Sequence, residues 1–305
     1  MEELLERLIE ECRPVVKQGQ VADYIPELAK GNPEALGIYI IGSEGKRSWA
    51  GDCRQTFTIQ SIVKPILLLQ ALLDNGAEFV MNRVGVEATG KPFDAINSSD
   101  QSLDSGNINP MVNMGAIVMC SLIHGRSYDE RFQRLLELTR RLAGDHEIGV
   151  DEAVYCSEKS HGSTNRALAY LLKSHGLLDG DVEEVLDCYF RACSIQVDCR
   201  ALAHIGAVLS NRGRLPVSNE RIFPASMSRY VNAILMTCGM YDGSGEFALR
   251  VGVPAKSGVG GGIMAVVLTR MGIGIFGPAL DRKGNSVAGI KLLEQLSGEL
   301  HLSIF

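Results

Sequence analysis

The sequence predicts an α+β fold: one antiparallel sheet built from both ends of the chain, flanked by helices, with an all-helical block inserted between its halves. Three observations lead there. A hairpin pattern lies early, at residues 37–52. A mostly helical stretch, residues 77–200, follows it. Residues 237–280, rich in glycine and β-branched side chains, then return to strand character. The early hairpin must therefore join the late strands in one sheet. The chain is read as a single domain, 1–305, with a sheet subdomain at about 1–76 plus 212–305 and a helical subdomain at about 77–211.

In chain order, residues 2–18 read as an amphipathic helix with Leu4, Leu5, Leu8 and Ile9 on one side. Tyr24 precedes a proline turn, where packing is the commoner role. In the hairpin, Ser43-Glu44-Gly45-Lys46 supplies the turn. The stretch FTIQSIVKPILLLQALLDNG, residues 57–76, opens polar, runs apolar and stops at Gly76, as a central helix would. Pro65 belongs only in a first helical turn, so the helix either begins close to Ser61 or is distorted there. A polar loop at 97–108 precedes an apolar helix within 109–123, and a charged amphipathic helix covers 127–143. Further helices are expected at 151–175, 181–193 and 198–210. Glu158 and Asn165 lie seven apart and so project from one face of a continuous helix; a solvated polar stripe is the usual fate of such a pair. Tyr189 sits where an aromatic is ordinarily core. The glycines at 258 and 260–262 lack the Walker order, and suit backbone packed against a ligand or against the central helix. Residues 284–300 form a capped closing helix.

Composition narrows the function classes. A net charge of −6 and a pI near 5.6 oppose nucleic-acid binding. No apolar run is long enough to span a membrane, and the acidic N-terminus lacks the basic and apolar regions of a secretory signal, so the expected location is the cytoplasm. The eight cysteines form no Cys-x-x-Cys pair and no ligand spacing with histidine, which argues against a zinc site and for free thiols.

Ser61 and Lys64 carry the chemistry. Three positions apart on a helix, they share a face. A partly desolvated lysine can take the proton of a serine hydroxyl and make it a nucleophile. This is the Ser-x-x-Lys pattern of serine β-lactamases and penicillin-binding proteins, and the later strand with Lys256-Ser257-Gly258 follows their motif order. Alone the pattern is common, and a capping serine before a solvated lysine is the ordinary case.

A longer set of segments overturns that. YIPELA at 24–29, QTFTIQSIVK at 55–64, NPMVNMGAI at 109–117 and SEKSHGSTN at 157–165 come first. LDCYFRACSI at 186–195, CGMYDGSGEFA at 238–248, VGVPAKSGVGGGI at 251–263 and GNSVAG at 284–289 follow. In that order they resemble the glutaminase family, a branch of the β-lactamase/transpeptidase-like superfamily, over nearly the whole chain. The resemblance implies hydrolysis of L-glutamine to L-glutamate and ammonia with no metal or organic cofactor, by a homo-oligomer, dimer or tetramer. It implies Ser61 as nucleophile, Lys64 as base and Tyr241 as proton relay. The backbone N–H groups of Ser61 and Val259 are then the oxyanion hole, and Tyr24, Gln60, Asn113, Glu158, Asn165, Tyr189 and Tyr241 the substrate-binding set. Glu158 suits the substrate ammonium, and Asn165 and the tyrosines suit its carboxylate. Val63, Pro65, Met114 and the stretch 86–96 depart from the usual family pattern, without removing any of these groups.

Overall fold

A computed structural model describes residues 1–88 and 108–305. Seven strands lie among the described residues: β1 (Gly37–Gly42), β2 (Arg47–Gly51), β3 (Phe57–Thr58), β4 (Gln196–Val197), β5 (Ala255–Ser257), β6 (Gly262–Val267) and β7 (Met271–Phe276). Five make one sheet in the order β2-β1-β7-β6-β5, with every pair antiparallel. The early hairpin does join the late strands: β1 pairs with β7 from Gly37 opposite Phe276 to Gly42 opposite Met271. β3 and β4 pair separately.

Twelve α-helices lie among the described residues: α1 (Glu2–Cys12), α2 (Lys64–Asn75), α3 (Ala77–Arg83), α4 (Asn113–Leu122), α5 (Tyr128–Ala143), α6 (Glu152–His161), α7 (Ser163–Ser174), α8 (Val182–Cys193), α9 (Cys199–Ser210), α10 (Ala225–Cys238), α11 (Ser244–Arg250) and α12 (Val287–Leu300). Alternation along the strands sorts side chains to two faces. Ile38, Ile40, Ala265, Ile273 and Ile275 pack with Leu5 and Leu8 of α1 and with Leu292 and Leu296 of α12. On the other face, Tyr39, Ile41 and Phe276 meet Cys199, Ala203 and Ala207 of α9. That helix lies almost on the backbone of β7. A Cβ at Gly272 would stand 2.0 Å from the Ala207 nitrogen, and one at Gly274 would stand 2.0 Å from the Cys199 carbonyl. Thus α9, placed in the helical block on sequence grounds, covers the sheet.

The helical side is built around α2 and α4. Every residue from Lys64 to Leu72 is buried, as is every residue of α4. A helix apolar all round belongs inside. The surrounding helices show their ends in the sequence. Ser127, Asp151, Asp181 and Asp198 each accept a backbone N–H at the start of α5, α6, α8 and α9, worth about 1 kcal/mol apiece.

Three expectations change. The first helix stops at Cys12, because Pro14 follows and residues Arg13–Gln18 tighten to a 3₁₀ turn. The helix expected over 151–175 breaks at Gly162, so Glu158 and Asn165 sit on different helices, α6 and α7. Residues 237–250, read as strand, are the end of α10, a 3₁₀ turn and α11. α10 itself was not foreseen. Most of the stretch at 86–96 and of the loop at 97–108 lies outside the described residues.

Candidate active site

The position of Ser61 begins with the small β3–β4 pair. Ile59 donates from its backbone to the Ile195 carbonyl at 2.8 Å, and Gln60 then turns into the left-handed region with φ of 48°. Such a backbone is uncommon for a residue with a Cβ. A 3₁₀ turn follows over Gln60–Val63, and α2 starts at Lys64 with Pro65 inside its first turn. Pro65 therefore sits where proline is tolerated. In a 3₁₀ turn residues three apart eclipse one another, so Ser61 and Lys64 rise on the same side. Both are buried, Lys64 completely. The Lys64 amine donates to Asn113 Oδ1 at 2.7 Å and to the Met111 carbonyl at 3.2 Å.

The glycine loop after β5 closes over this turn. A Cβ at Gly260 would stand 2.5 Å from the Thr58 carbonyl, and one at Gly258 would stand 2.9 Å from that of Ile59. Of the two settings expected for these glycines, backbone close to a ligand or to the central helix, the contacts here are with the backbone at the entry to that helix. Val259 lies between them.

Tyr241 enters from the turn after α10. Its φ is 52°, a second left-handed residue with a large side chain. Ser244 Oγ steadies the kink, donating to the Tyr241 carbonyl at 2.9 Å and accepting from Met240 N at 3.0 Å. The phenol oxygen is enclosed. Burial pushes this phenol well above the ordinary tyrosine range, and hydrogen bonding to the Ser61 side chain and the Val259 backbone only partly offsets that. Lys256 lies beneath, its amine 4.3 Å from the Tyr241 ring centre and 2.6 Å from the Ser257 carbonyl. Burial, and then the charge of Lys64, hold Lys256 well below the ordinary lysine range. A lysine so placed favours its neutral form.

Two polar clusters complete the site. In one, the Tyr24 hydroxyl donates to Glu158 Oε1 at 2.8 Å and reaches Gln60 Oε1 at 3.2 Å. Tyr24 is 51% exposed as a residue, so it forms a wall of the site and not core. Glu158 is buried, and that burial raises its carboxyl above the usual range despite bonds from Tyr24 and Gln60. In the other cluster, Asn113 Nδ2 donates to Asn165 Oδ1 at 2.9 Å, and the Tyr189 hydroxyl donates to Asn113 Oδ1 at 3.4 Å. All ten residues singled out in the sequence thus fall into contacts around Ser61, Lys64, Glu158 and Asn113. Sequence reasoning missed Cys193, one helical turn beyond Tyr189 on α8. Its buried thiol is pushed up to about 12 by burial and then by Glu158, while Lys64 acts in the opposite sense. Ser244 and the Met111 carbonyl were missed too. Among the described residues no group of three or more His, Cys, Asp or Glu side chains is arranged to hold a metal ion.

An antiparallel sheet flanked by helices, with a buried Ser-x-x-Lys pair at the start of the central helix, defines an α+β hydrolase. A family model described as glutaminase matches residues 19–305, and the chain belongs to the glutaminase family. It is 52% identical to "Glutaminase 2" of Clostridium perfringens over the full length of both chains. Its structure matches the probable glutaminase ybaS with a TM-score of 0.94 at 36% identity, covering 100% of this chain and 99% of that one. It also matches a covalent complex of the Bacillus subtilis glutaminase YbgJ with 5-oxo-L-norleucine, formed by reaction with 6-diazo-5-oxo-L-norleucine. There the TM-score is 0.90 at 37% identity, covering 100% of this chain and 99% of that one.

Proposed function

We infer that this protein is a glutaminase that hydrolyses L-glutamine through an ester on Ser61. The observation that carries the reading is the buried Lys64 amine, three residues from Ser61 and held by Asn113 Oδ1 at 2.7 Å. Lys64 takes the Ser61 proton as Oγ attacks the amide carbon. The carbonyl oxygen gains charge and is met by the backbone N–H groups of Ser61 and Val259; each such donor is worth about 10²–10³ in rate. The C–N bond breaks, and the leaving amine takes a proton relayed through Tyr241, whose raised phenol stays protonated and able to donate. Ammonia departs, leaving a glutamyl ester. Water then loses a proton to the same machinery, adds to the ester carbon and releases glutamate as Ser61 recovers its proton.

The binding set suits this substrate. Glu158 meets the α-ammonium, whose arrival favours the ionised carboxylate. Tyr24 and Gln60 hold Glu158 in place, while Asn113, Asn165 and Tyr189 offer donors for the carboxylate and amide ends. The reaction of a related glutaminase with 6-diazo-5-oxo-L-norleucine supports covalent chemistry, since that compound presents a carbonyl carbon where glutamine has its amide. The active form is taken to be a homo-oligomer.

The test is glutamate and ammonia release by the parent and by Ser61→Ala, with peptide mapping after exposure to 6-diazo-5-oxo-L-norleucine. Turnover by the parent, a loss of about 10⁴-fold or more in a folded Ser61→Ala, and an adduct on residue 61 are expected. Turnover retained by Ser61→Ala, or an adduct elsewhere in the parent, would sink the assignment.

A further inference from the structure

A second cavity, about 660 Å³, lies away from Ser61 between the end of α9, the first turns of α10, Pro254 ahead of β5 and the turn joining β6 to β7. Its wall is mostly apolar, with Leu209, Met236, Leu268 and Ile304 facing it. A volume of this size, apolar with a few polar groups, is typical of a small-molecule site.

The polar groups are what make it more than a groove. The chain carries a net charge of −6, yet among the described residues the charged side chains lining the cavity are two arginines, Arg212 and Arg229, and no acid lines it. The first turn of α10 also lines it, and Pro224 ahead of that helix supplies no side-chain cap. Deeper in, Ser228 and Asn232 are 3% and 7% exposed, and Ser228 Oγ and Asn232 Oδ1 have no hydrogen-bond partner among the described residues. The Asn232 amide nitrogen donates to the Leu209 carbonyl at 3.3 Å, which fixes its oxygen as the free acceptor. Buried polar atoms without partners are costly, and a bound molecule removes that cost.

We propose that this cavity binds an amphipathic organic anion: a carboxylate or phosphate head, one N–H or O–H donor near it, and an apolar body. The head lies between Arg212, Arg229 and the start of α10. Ser228 Oγ donates to it, Asn232 Oδ1 accepts from the ligand's donor, and the body covers Met236 and Leu268.

The test is calorimetric titration of the whole protein with N-octanoylglycine, its methyl ester, octyl phosphate and inorganic phosphate. Arg229→Glu reverses one charge, and Ala233→Trp fills the cavity from an exposed helical position. Circular dichroism and glutamine turnover confirm that both variants fold. Saturable one-to-one binding of N-octanoylglycine or octyl phosphate is expected, at least tenfold weaker for the methyl ester and for Arg229→Glu, and absent in Ala233→Trp. Whichever anion binds tighter identifies the head. No saturable binding, equal affinity for the ester, indifference to both variants, or complete displacement by equimolar inorganic phosphate would each overturn the proposal.

Discussion

Asn113 Oδ1 accepts a hydrogen bond from the Lys64 amine across 2.7 Å, and the same side chain donates to Asn165 through its other end. One neutral amide thus ties the proposed base to the substrate-binding set. Neutrality matters there. Asn113→Asp keeps the shape but sets a carboxylate against the amine, which favours the charged lysine by about 1–3 pH units. The expected result is a loss of about 10- to 1,000-fold in kcat at neutral pH, with the acidic limb of the kcat–pH profile moved to higher pH. An unchanged profile would show that Lys64 does not act as the base.

Glu158 yields a prediction with opposite signs in two measurements. Its carboxyl is raised above the ordinary value of 4.5, first by burial. As pH falls through the raised value, the free site loses its negative charge and KM for glutamine climbs, starting at a pH above that of a surface glutamate. Stability runs the other way. Between 4.5 and the raised value the folded chain binds more protons than the unfolded one, so acidification favours folding. Glu158→Gln removes both slopes and raises KM about 10- to 100-fold, as loss of a charged hydrogen bond does. KM and urea midpoints measured from pH 5 to 8 check both signs.

Gly260→Ala tests the loop over the active turn. The new methyl would stand 2.5 Å from the Thr58 carbonyl, so the loop carrying Val259 has to lift. Loss of one oxyanion donor predicts a fall of about 10²–10³ in kcat with KM little changed. Steady-state kinetics decide it; a proportional rise in KM would mean that the loop shapes binding instead.

Gly272→Ala tests the sheet. Its methyl would meet the Ala207 nitrogen at 2.0 Å and the Ala203 carbonyl at 2.1 Å, backbone atoms with nowhere to go. Overpacking predicts a destabilisation of about 3 kcal/mol, read by chemical denaturation, with kcat per folded molecule retained. A stable variant would mean that α9 can slide on β7.

Much of this was legible in the sequence because it depends on spacing and order. The early hairpin and late strands had only each other to pair with, and the Ser61–Lys64 interval survives the change from α to 3₁₀ geometry. Gly76 ends α2 with φ of 80°, as its position suggested. What escaped depends on contacts distant in sequence. Nothing local marks Gln60 or Tyr241 for left-handed backbone; neighbours such as Ser244 hold them there. The glycines at 239, 243 and 245 disguised the end of α10 and the start of α11 as strand turns. A Cβ at Gly239 would stand 1.7 Å from the Ala255 carbonyl, a packing need with no sequence signature. Gly162 interrupts a helical pattern because Phe190 of α8 occupies the space of its side chain.

The pairing of β1 with β7 also sets an order of events during synthesis. The hairpin leaves the ribosome early with one apolar edge open, and its partner is encoded about 230 residues later, so at roughly 5–20 residues per second that edge waits some 10–50 s. Through that interval the helices between can gather around α2 and α4, whose contacts are nearer in the chain. The nucleophile's turn is therefore assembled in two instalments: its helix first, and the glycine loop that closes over it only when the last strands arrive. A chain released before residue 271 carries both an unprotected strand edge and half an active site.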